Sequence, residues 1–368
     1  MVRLAGERRR HGDNNHSSQR RHASHLFQRA GEHHDRQQRW HANRQCHRLG
    51  YRNGHFRGRP ADRQLRRHRL QEGGAVASGF TISANGTLEI RNGYVLSGYV
   101  ENAGTRFNIY GGGTAIATTV NNADENVWGG YATGTTVNNG GSEDVDGGIV
   151  SSSTINGGGT QLVHGFSSAG TAIATTVNSG GQQFISSSGT ASVTTLSNGA
   201  SETISSGGLA VGTIISSGGT EFISSGGRAS ATTVRNGGVE MISAGGTAIG
   251  TTISSGGTHF VLSGGTAISA NVNAFFGEVV SVGGTTISAT INSGGEVLIS
   301  SGVVASAPTI NNGGFLDIFG TAIGETINGA TVSSLGTEQI FSGGTSISAR
   351  STPSANWLSR PEAWPVPP

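Results

Sequence analysis

Residues 246–263 read GTAIGTTISSGGTHFVLS, and this stretch carries the unit from which most of the chain is built. It places Ile253 eight positions before a second branched apolar residue, Val261, with a Gly-Gly pair between them. Each of the two belongs to a series that recurs every 19 residues. The first series is Val177, Leu196, Ile215, Val234, Ile253, Val272, Ile291 and Ile310, and the second is Ile185, Ile204, Ile223, Ile242, Val261, Val280, Ile299 and Ile318. One unit cannot bury its own apolar residues, so a fixed period of about 20 residues predicts a solenoid of stacked units.

The pattern within one unit is typical of β-strands. Alternate residues of a strand share a face, so we expect Ile249, Thr251 and Ile253 to point inward and Ala248 and Thr252 to point outward. Branched residues favour strands and paired glycines favour tight corners. The sequence therefore predicts an all-β fold, a right-handed parallel β-helix (β-solenoid) with coils of about 19 residues, and equivalent residues such as Asn stacked on Asn. Residues 73–349 are long enough for about fourteen or fifteen such coils.

The charge of the chain divides sharply between two regions. Residues 1–72 contain 18 Arg, 10 His and six acidic residues, whereas the rest contains six Arg and 16 acidic residues, a balance of about −10. The net charge of +2 therefore describes neither region. The repeat region is rich in Gly, Ser, Thr, Asn and Ala, a composition that often indicates disorder, but its strict period argues for order.

The two ends of the chain differ from the repeats. QRRHA at residues 19–23 recurs as QRWHA at residues 38–42, again 19 residues later, and codons for Gln-Arg-Arg-His read one base on can encode Ser-Gly-Gly. We therefore predict that residues 1–72 are disordered and, like the irregular tail 350–368, are translated out of frame from flanking repeats. The DNA sequence tests this prediction. If neither of the other two reading frames encodes Gly-Gly-Thr repeats in these regions, the prediction is wrong.

Alternative interpretations of the basic region are weaker. An Arg-rich arm with interleaved aromatic residues could bind nucleic acid, but such an arm has no reason to keep a 19-residue period, so we expect no nucleic-acid partner. His33, His34, His41 and Cys46 match no zinc-site spacing. The sequence lacks the apolar segment of a signal peptide and any run long enough to span a bilayer, and we expect no membrane insertion by this chain.

Candidate interaction residues lie in one acidic column and at irregular corners. Glu202, Glu221, Glu240 and Glu278 recur in register, with His259 at the missing position, and mutual repulsion of carboxylates leads us to expect this column at the surface. Two repeats are 22 residues long, with extra residues around 164–169 and 320–330 that we expect at the same edge of the rod. The candidate interaction surface therefore comprises Glu202, Glu221, Glu240, Glu278, His164, Phe166, Phe275 and Phe276. A simpler interpretation exists for both groups. The glutamates could be solvated surface charges, and the irregular corners could reflect tolerated sequence variation between repeats.

Other functional classes find little support. Adjacent threonines such as Thr251 and Thr252 place one hydroxyl outward per coil, whereas ice binding would favour a Thr-x-Thr pattern. Pectin-cleaving enzymes use longer β-helix coils with clusters of charged residues that are not found in this sequence. No Ser/His/Asp set or phosphate-binding loop is evident, so we predict a non-enzyme without catalytic residues, metal site or cofactor.

The motif Gly-Gly-Thr-Ala-Ile-x-Thr-Thr-Val/Ile-Asn/Ser-x-Gly-Gly, followed by a second apolar position, resembles the 19-residue repeats of autotransporter adhesins of the diffuse-adherence (AIDA) type. The resemblance extends over residues 112–348 and less regularly from 73. It implies a β-helical passenger exposed at the surface of a Gram-negative cell and secreted through the outer membrane in the intact parent protein. It also implies self-association between rods, autoaggregation, biofilm formation and adhesion to a host-cell protein or glycan, with O-glycosylation of repeat Ser and Thr in some members. A structural stalk without intrinsic binding is the alternative interpretation.

Overall fold

The computed structural model describes residues 65–70, 76–77, 82–166, 168–197, 199–216, 218–235, 237–243, 245–275, 277–328, 337–351 and 356–359. These residues fall within one compact unit, residues 60–368, and the described residues form a parallel β-solenoid. The described secondary structure consists of β-strands and turns. The predicted all-β parallel solenoid with its spacing of about 19 residues is confirmed.

Each regular coil contributes one strand to each of three parallel sheets, which have 16, 15 and 14 strands. The first sheet comprises Leu65–Leu70, Ile82–Ile90, Arg106–Tyr110, Asp124–Trp128, Ser142–Asp146, Thr160–His164, Gln182–Ile185, Ser201–Ile204, Thr220–Ile223, Val239–Ile242, Thr258–Val261, Glu278–Val280, Glu296–Ile299, Phe315–Ile318, Thr337–Ile340 and Asn356–Ser359. The second comprises Val76–Ala77, Val95–Ser97, Thr114–Ile116, Tyr131–Thr133, Ile149–Ser151, Thr171–Ile173, Thr190–Ser192, Leu209–Val211, Arg228–Ser230, Thr247–Ile249, Thr266–Ile268, Thr285–Ile287, Val304–Ser306, Thr321–Ile323 and Thr345–Ile347. The third comprises Val100–Glu101, Thr119–Val120, Thr136–Val137, Thr154–Ile155, Thr176–Val177, Thr195–Leu196, Ile214–Ile215, Thr233–Val234, Thr252–Ile253, Asn271–Val272, Thr290–Ile291, Thr309–Ile310, Thr326–Ile327 and Arg350–Ser351.

The two apolar series form the interior, as the period predicts. Ile253 lies in the third sheet and Val261 in the first, and both are completely buried. The second sheet contributes a smaller inward residue, such as Ala248. Small alanines on one side and branched residues on the other two fill a narrow triangular core, in which equivalent residues of successive coils pair in register.

The predicted orientation of Ala248 and Ile249 is wrong. Ala248 is buried and Ile249 is half-buried on the outer side, although Thr251 and Ile253 point inward as predicted. The cause is Gly250, whose φ of 68° turns the chain between the second and third sheets and breaks the alternation. The same left-handed backbone recurs at this corner in other coils, at Ala231 with a φ of 56° and at Val193 with a φ of 59°.

Asparagine side chains form a ladder at the corner that follows the third sheet. Asn156 donates from its amide nitrogen to Asn138 at 2.8 Å, and Asn178 donates to Asn156 at 3.0 Å. Further along the rod, Asn311 donates to Asn292 at 2.8 Å. Because each amide both donates and accepts, identical side chains stacked in register satisfy one another. The predicted stacking of Asn on Asn is therefore confirmed at these corners.

The two long repeats do not extend the same edge of the rod. The extra residues near His164 fall between strands of the first and second sheets. In the second case Ile310 pairs with Ile327, a step of 17 residues, and the additional length follows Ile327, before Thr337–Ile340 of the first sheet. The sequence TAIGETI at residues 321–327 repeats the TAIGTTI of residues 247–253 and therefore keeps its place in the coil. The expectation of a common edge is wrong, and residues 329–336 lie outside the described residues.

Some strands lie beyond the range 73–349 predicted for the repeats. Leu65–Leu70 pairs with Ile82–Ile90, and Asn356–Ser359 pairs with Thr337–Ile340. Most of the predicted basic and tail segments, including His33, His34, His41 and Cys46, lie outside the described residues. The out-of-frame origin of residues 1–72 and 350–368 stays a prediction about the DNA. Among the described residues, no helix has the length and apolar character needed to cross a membrane.

Candidate functional site

A column of polar side chains runs through the interior of the solenoid. We call it the buried polar ladder, and it comprises Glu125, Glu143, Gln161, Gln183, Glu202, Glu221, Glu240, His259 and Glu278. Each of these side chains has 0% exposure. The prediction that Glu202, Glu221, Glu240 and Glu278 lie at the surface is wrong, and these carboxyls cannot contact a partner directly. The reason is the strand alternation itself, because a residue two positions before the buried Ile223 must share its inward face.

Hydroxyl groups from an adjacent column supply hydrogen bonds to the ladder. In many coils a threonine precedes the third-sheet strand and points inward, as at Thr213, which donates to Glu202 at 2.9 Å, and at Thr232, which donates to Glu221 at 3.1 Å. Thr194 likewise donates to Gln183 at 3.0 Å. Each Thr-Thr pair therefore divides its hydroxyls, one toward the ladder and one outward. The inward threonine is part of the interior, not of the surface.

The ladder also separates two parts of the apolar core. Third-sheet residues from Val120 to Val234 form one cluster, and the first- and second-sheet residues form another. The two merge from Ile253 onward, where Ala270 and Ala289 replace the inward threonine and Val297 replaces the inward glutamate. An interior that is polar in one stretch and apolar in the next fits the same backbone, because the coil geometry is set by the corners and strand pairing.

Burial favours the neutral form of the ladder carboxyls from Glu125 to Glu240. Loss of solvation, reinforced by the neighbouring Glu240, raises the pKa of Glu221 from 4.5 to about 8. Burial raises the pKa of Glu240 to about 7, and burial together with Glu143 raises the pKa of Glu125 to about 8. Burial and the adjacent Glu221 also raise the pKa of Glu202 well above its usual range. Carboxyls can stack in successive coils because they are protonated. Protonation removes the repulsion between carboxylates, which was the reason for expecting these side chains at the surface.

His259 occupies the ladder between two glutamates. Its Nε2 lies 3.3 Å from Oε2 of Glu240, and burial lowers the pKa of the imidazole. A neutral imidazole next to a protonated Glu240 avoids an isolated buried charge at this pair. Within the described part of the chain, no group of three or more His, Cys, Asp or Glu side chains is arranged to hold a metal ion.

His164 and Phe166 lie together at the outer face. Their ring centroids are 5.2 Å apart in an edge-to-face arrangement. His164 Nε2 contacts Asp144 of the preceding coil at 2.6 Å, and the backbone N–H of Phe166 donates to Asp146 at 3.1 Å. Phe166 is 85% exposed, so the predicted corner does present an aromatic ring to solvent.

Phe275 belongs to a different corner, between Asn271–Val272 of the third sheet and Glu278–Val280 of the first. It is 69% exposed, and Phe276 lies outside the described residues. The structure thus brings His164 and Phe166 together and places Phe275 in another coil. A role for these residues in recognition stays a prediction.

The repeat pattern alone did not predict the outward-facing column of the first sheet, which is rich in large apolar residues. Phe222 and Phe260 each stand between an inward Glu or His and the inward second apolar residue of their coil. The sequence does contain a signal for this column, namely a large apolar residue between the two inward positions of each strand. The expectation that the carboxyls lie outside hides this column, because it leaves no consistent set of outward residues on these strands.

Comparison with known proteins agrees with the repeat architecture. The model of a family described as an adhesin of the bacterial autotransporter system, probable stalk, matches residues 181–238. A crystal structure of a TibC-catalysed, hyper-glycosylated fragment of TibA is 30% identical over 74% of this chain and 92% of that fragment, with a TM-score of 0.59. The chain belongs to the AIDA-type autotransporter adhesins. The resemblance inferred from the repeats is therefore confirmed for this AIDA-type chain.

Two further comparisons add nothing to the AIDA-type assignment. No curated protein matches the chain. The A-module of the mannuronan C-5 epimerase AlgE4 from Azotobacter vinelandii is 11% identical over 75% of this chain and 88% of that module. Its TM-score of 0.30 is too low to support any argument about fold or activity.

Proposed function

We propose that this chain acts as the surface-exposed passenger of an autotransporter adhesin and promotes autoaggregation, biofilm formation and adhesion through contacts along its rod. The observation that carries the proposal is family membership combined with a described fold that repeats one outer surface coil after coil. The described residues form a packed interior and an exterior that repeats in each coil. Such a surface is suited to making many weak contacts. Neither feature favours catalysis.

Repetition determines how such a surface would bind. A contact that one coil makes with a facing rod is available again about 4.8 Å further along, because adjacent strands have that spacing. Once one pair of coils is engaged, the next pair meets at high effective concentration, so weak contacts add up to strong adhesion. The proposed partners are a second rod and, on a host cell, a protein or glycan with repeated polar groups.

The family description favours a second candidate, a stalk that only holds another binding domain away from the cell. The two candidates differ in what the purified chain does alone. An adhesive rod is expected to show a molecular mass in sedimentation velocity that rises with concentration, and to clump beads that carry it. A stalk is expected to stay monomeric at the same concentrations and to leave the beads dispersed, which would contradict the adhesive proposal.

A further inference from the structure

The outer face of the first sheet carries an apolar column that is interrupted once. We call it the apolar stripe, and it comprises Leu162, Phe184, Phe222, Met241, Phe260, Val279 and Leu298, with Thr203 as its one polar position. All eight side chains lie on the opposite side of their strands from the buried polar ladder. Phe222 is 40% exposed and the others are half-buried. The core does not need these residues, since it is already closed by the completely buried Ile223 and its equivalents.

The surroundings of the apolar stripe give it definite edges. Asp144 stands in the same column one coil before Leu162, and Asp317 stands one coil after Leu298. Hydroxyl side chains flank it on the same strands and at the corners that follow them, as at Thr220 and Ser224 around Phe222. An apolar column with polar margins is the usual composition of a protein contact surface, with an apolar centre and a polar rim.

We infer that the apolar stripe is the interface through which two copies of this chain pack face to face along their first sheets. This inference rests on the proposed self-association and names the surface responsible for it. A second copy is the occupant that fits, because it presents the same apolar side chains at the same spacing along the rod. Side chains of one copy can therefore enter the gaps between successive rungs of the other over the whole length of the stripe.

The size of the apolar stripe matches a weak interface. Eight rungs spaced about 4.8 Å apart, on strands about 13 Å long, cover roughly 450 Å² per copy, or about 900 Å² for the pair. Stable complexes bury about 1,200–2,000 Å², so one pair of rods is expected to associate weakly. Weak pairing is appropriate for a surface that acts in large numbers between cells.

Rods that extend from opposite cells meet antiparallel. A two-fold axis between the rungs of Phe222 and Met241 then places Leu162 opposite the partner's Leu298. The same symmetry brings Asp144 near the partner's Asp317 at each end of the interface. Both side chains are half-buried, and Asp144 also contacts His164 of its own copy. Salt screens the remaining repulsion between the two carboxylates, so pairing is expected to strengthen modestly as ionic strength rises.

The test compares matched threonine variants of the full chain by sedimentation velocity. The variant Phe222→Thr/Met241→Thr/Phe260→Thr removes the centre of the apolar stripe, and threonine already occurs in the column at Thr203. The control Ile173→Thr/Val211→Thr/Ile323→Thr changes three outward residues of the second sheet, which are 41%, 37% and 40% exposed. We expect the stripe variant to raise the dimer dissociation constant at least tenfold and the control to change it less than twofold. Circular dichroism verifies that both retain β-structure, and the single variant Phe222→Ser replaces the triple variant if the latter does not fold.

The possible outcomes separate this inference from the proposed function. If the unmodified chain associates and the stripe variant associates equally well, self-association stands and the apolar stripe is not its interface. Equal weakening by both triple variants also overturns the inference, because it indicates nonspecific apolar contact. A strictly monomeric unmodified chain contradicts the proposed function itself. If that monomer binds phosphatidylcholine vesicles through the stripe, the occupant is a lipid surface, and the inference is wrong.

Discussion

Glu221 and Glu240 occupy successive rungs of one parallel ladder, and both side chains are completely buried inside the rod. Threonine hydroxyls approach the ladder from the neighbouring column, and Thr232 donates directly to Glu221. Two carboxyls can share this environment when they are protonated, because ionisation in the interior would leave a charge without a cation to balance it. The stability of the rod is therefore tied to the protonation state of its interior.

The first prediction is that the solenoid loses stability as pH rises from 5 to 9. An unfolded Glu releases its proton near pH 4.5, whereas buried Glu221 keeps its proton to about pH 8 and Glu240 to about pH 7. Since the folded state binds the additional protons, their stabilising effect is complete below pH 4.5 and is lost as pH rises toward 8, by about 1.4 kcal/mol per pH unit for each such group. Thermal unfolding followed by circular dichroism measures this loss. A melting temperature that stays constant or rises over this range would contradict the protonated ladder.

The second prediction concerns Glu221→Gln. The amide is neutral at all pH values and already occurs in the same column at Gln161 and Gln183. We expect the variant to match the unmodified chain at pH 5 and to be more stable at pH 8 by up to a few kcal/mol, because the proton-linked loss at this position is removed. Asp124→Asn, a change at an exposed acidic residue paired with Arg106, is the control and should shift the free energy of unfolding by less than about 0.5 kcal/mol. An equal benefit of Glu221→Gln at pH 5 and pH 8 would be inconsistent with the proposed mechanism.

The third prediction compares two adjacent threonines of one coil. Thr232 is buried and donates to Glu221, whereas Thr233 is half-buried on the outer side. Thr232→Val removes the hydroxyl and leaves a buried carboxyl oxygen without that donor, so we expect a loss of about 1–3 kcal/mol in unfolding free energy. Thr233→Val should have an effect within about 0.5 kcal/mol. Chemical denaturation at pH 6 measures both, and equal effects would show that the inward hydroxyl does not support the ladder.

The fourth prediction concerns the corner at Val193. Its φ is 59°, a left-handed conformation that is strained for a β-branched residue, and glycine occupies the equivalent corner at Gly212 and Gly250. Val193→Gly relieves this strain and should stabilise the rod by about 1 kcal/mol. Val211→Gly makes the same chemical change within a strand and should destabilise it, because glycine weakens strands. If both substitutions destabilise the protein equally, backbone strain at this corner does not limit stability.

The sequence predicted the regular parts of the fold in detail. Ile253 and Val261 recur at a fixed interval, and stacking in register follows directly because only a neighbouring coil can cover them. The Asn ladder at Asn156 and Asn178 followed from the same repetition. The exterior was predicted less well. The orientation of Ile249 depends on a left-handed corner at Gly250. The alternation of inward and outward residues does not reveal this corner, and neither does the residue type, because Ala231 and Val193 adopt the same backbone conformation in other coils.

The chemistry of the carboxyl column illustrates why a local argument failed. Repulsion between ionised Glu221 and Glu240 is a valid reason for exposure, but it presumes the charged state. The strand alternation that buries Ile223 also buries Glu221. Burial then raises the pKa of the carboxyl, so that the side chain stays inside in its protonated form. A long-range constraint thus outweighed the ordinary ionisation of the residue.

The sequence by itself determined the repeat, the parallel stacking and the family resemblance, because these depend only on the identity of residues at a constant interval. The division of each coil into three sheets, the inward position of Glu221 and the outward column through Phe222 were decided by the tertiary structure. The physical reason is that a side chain's environment depends on where the backbone turns between strands, and those turns are fixed by contacts with the coils above and below.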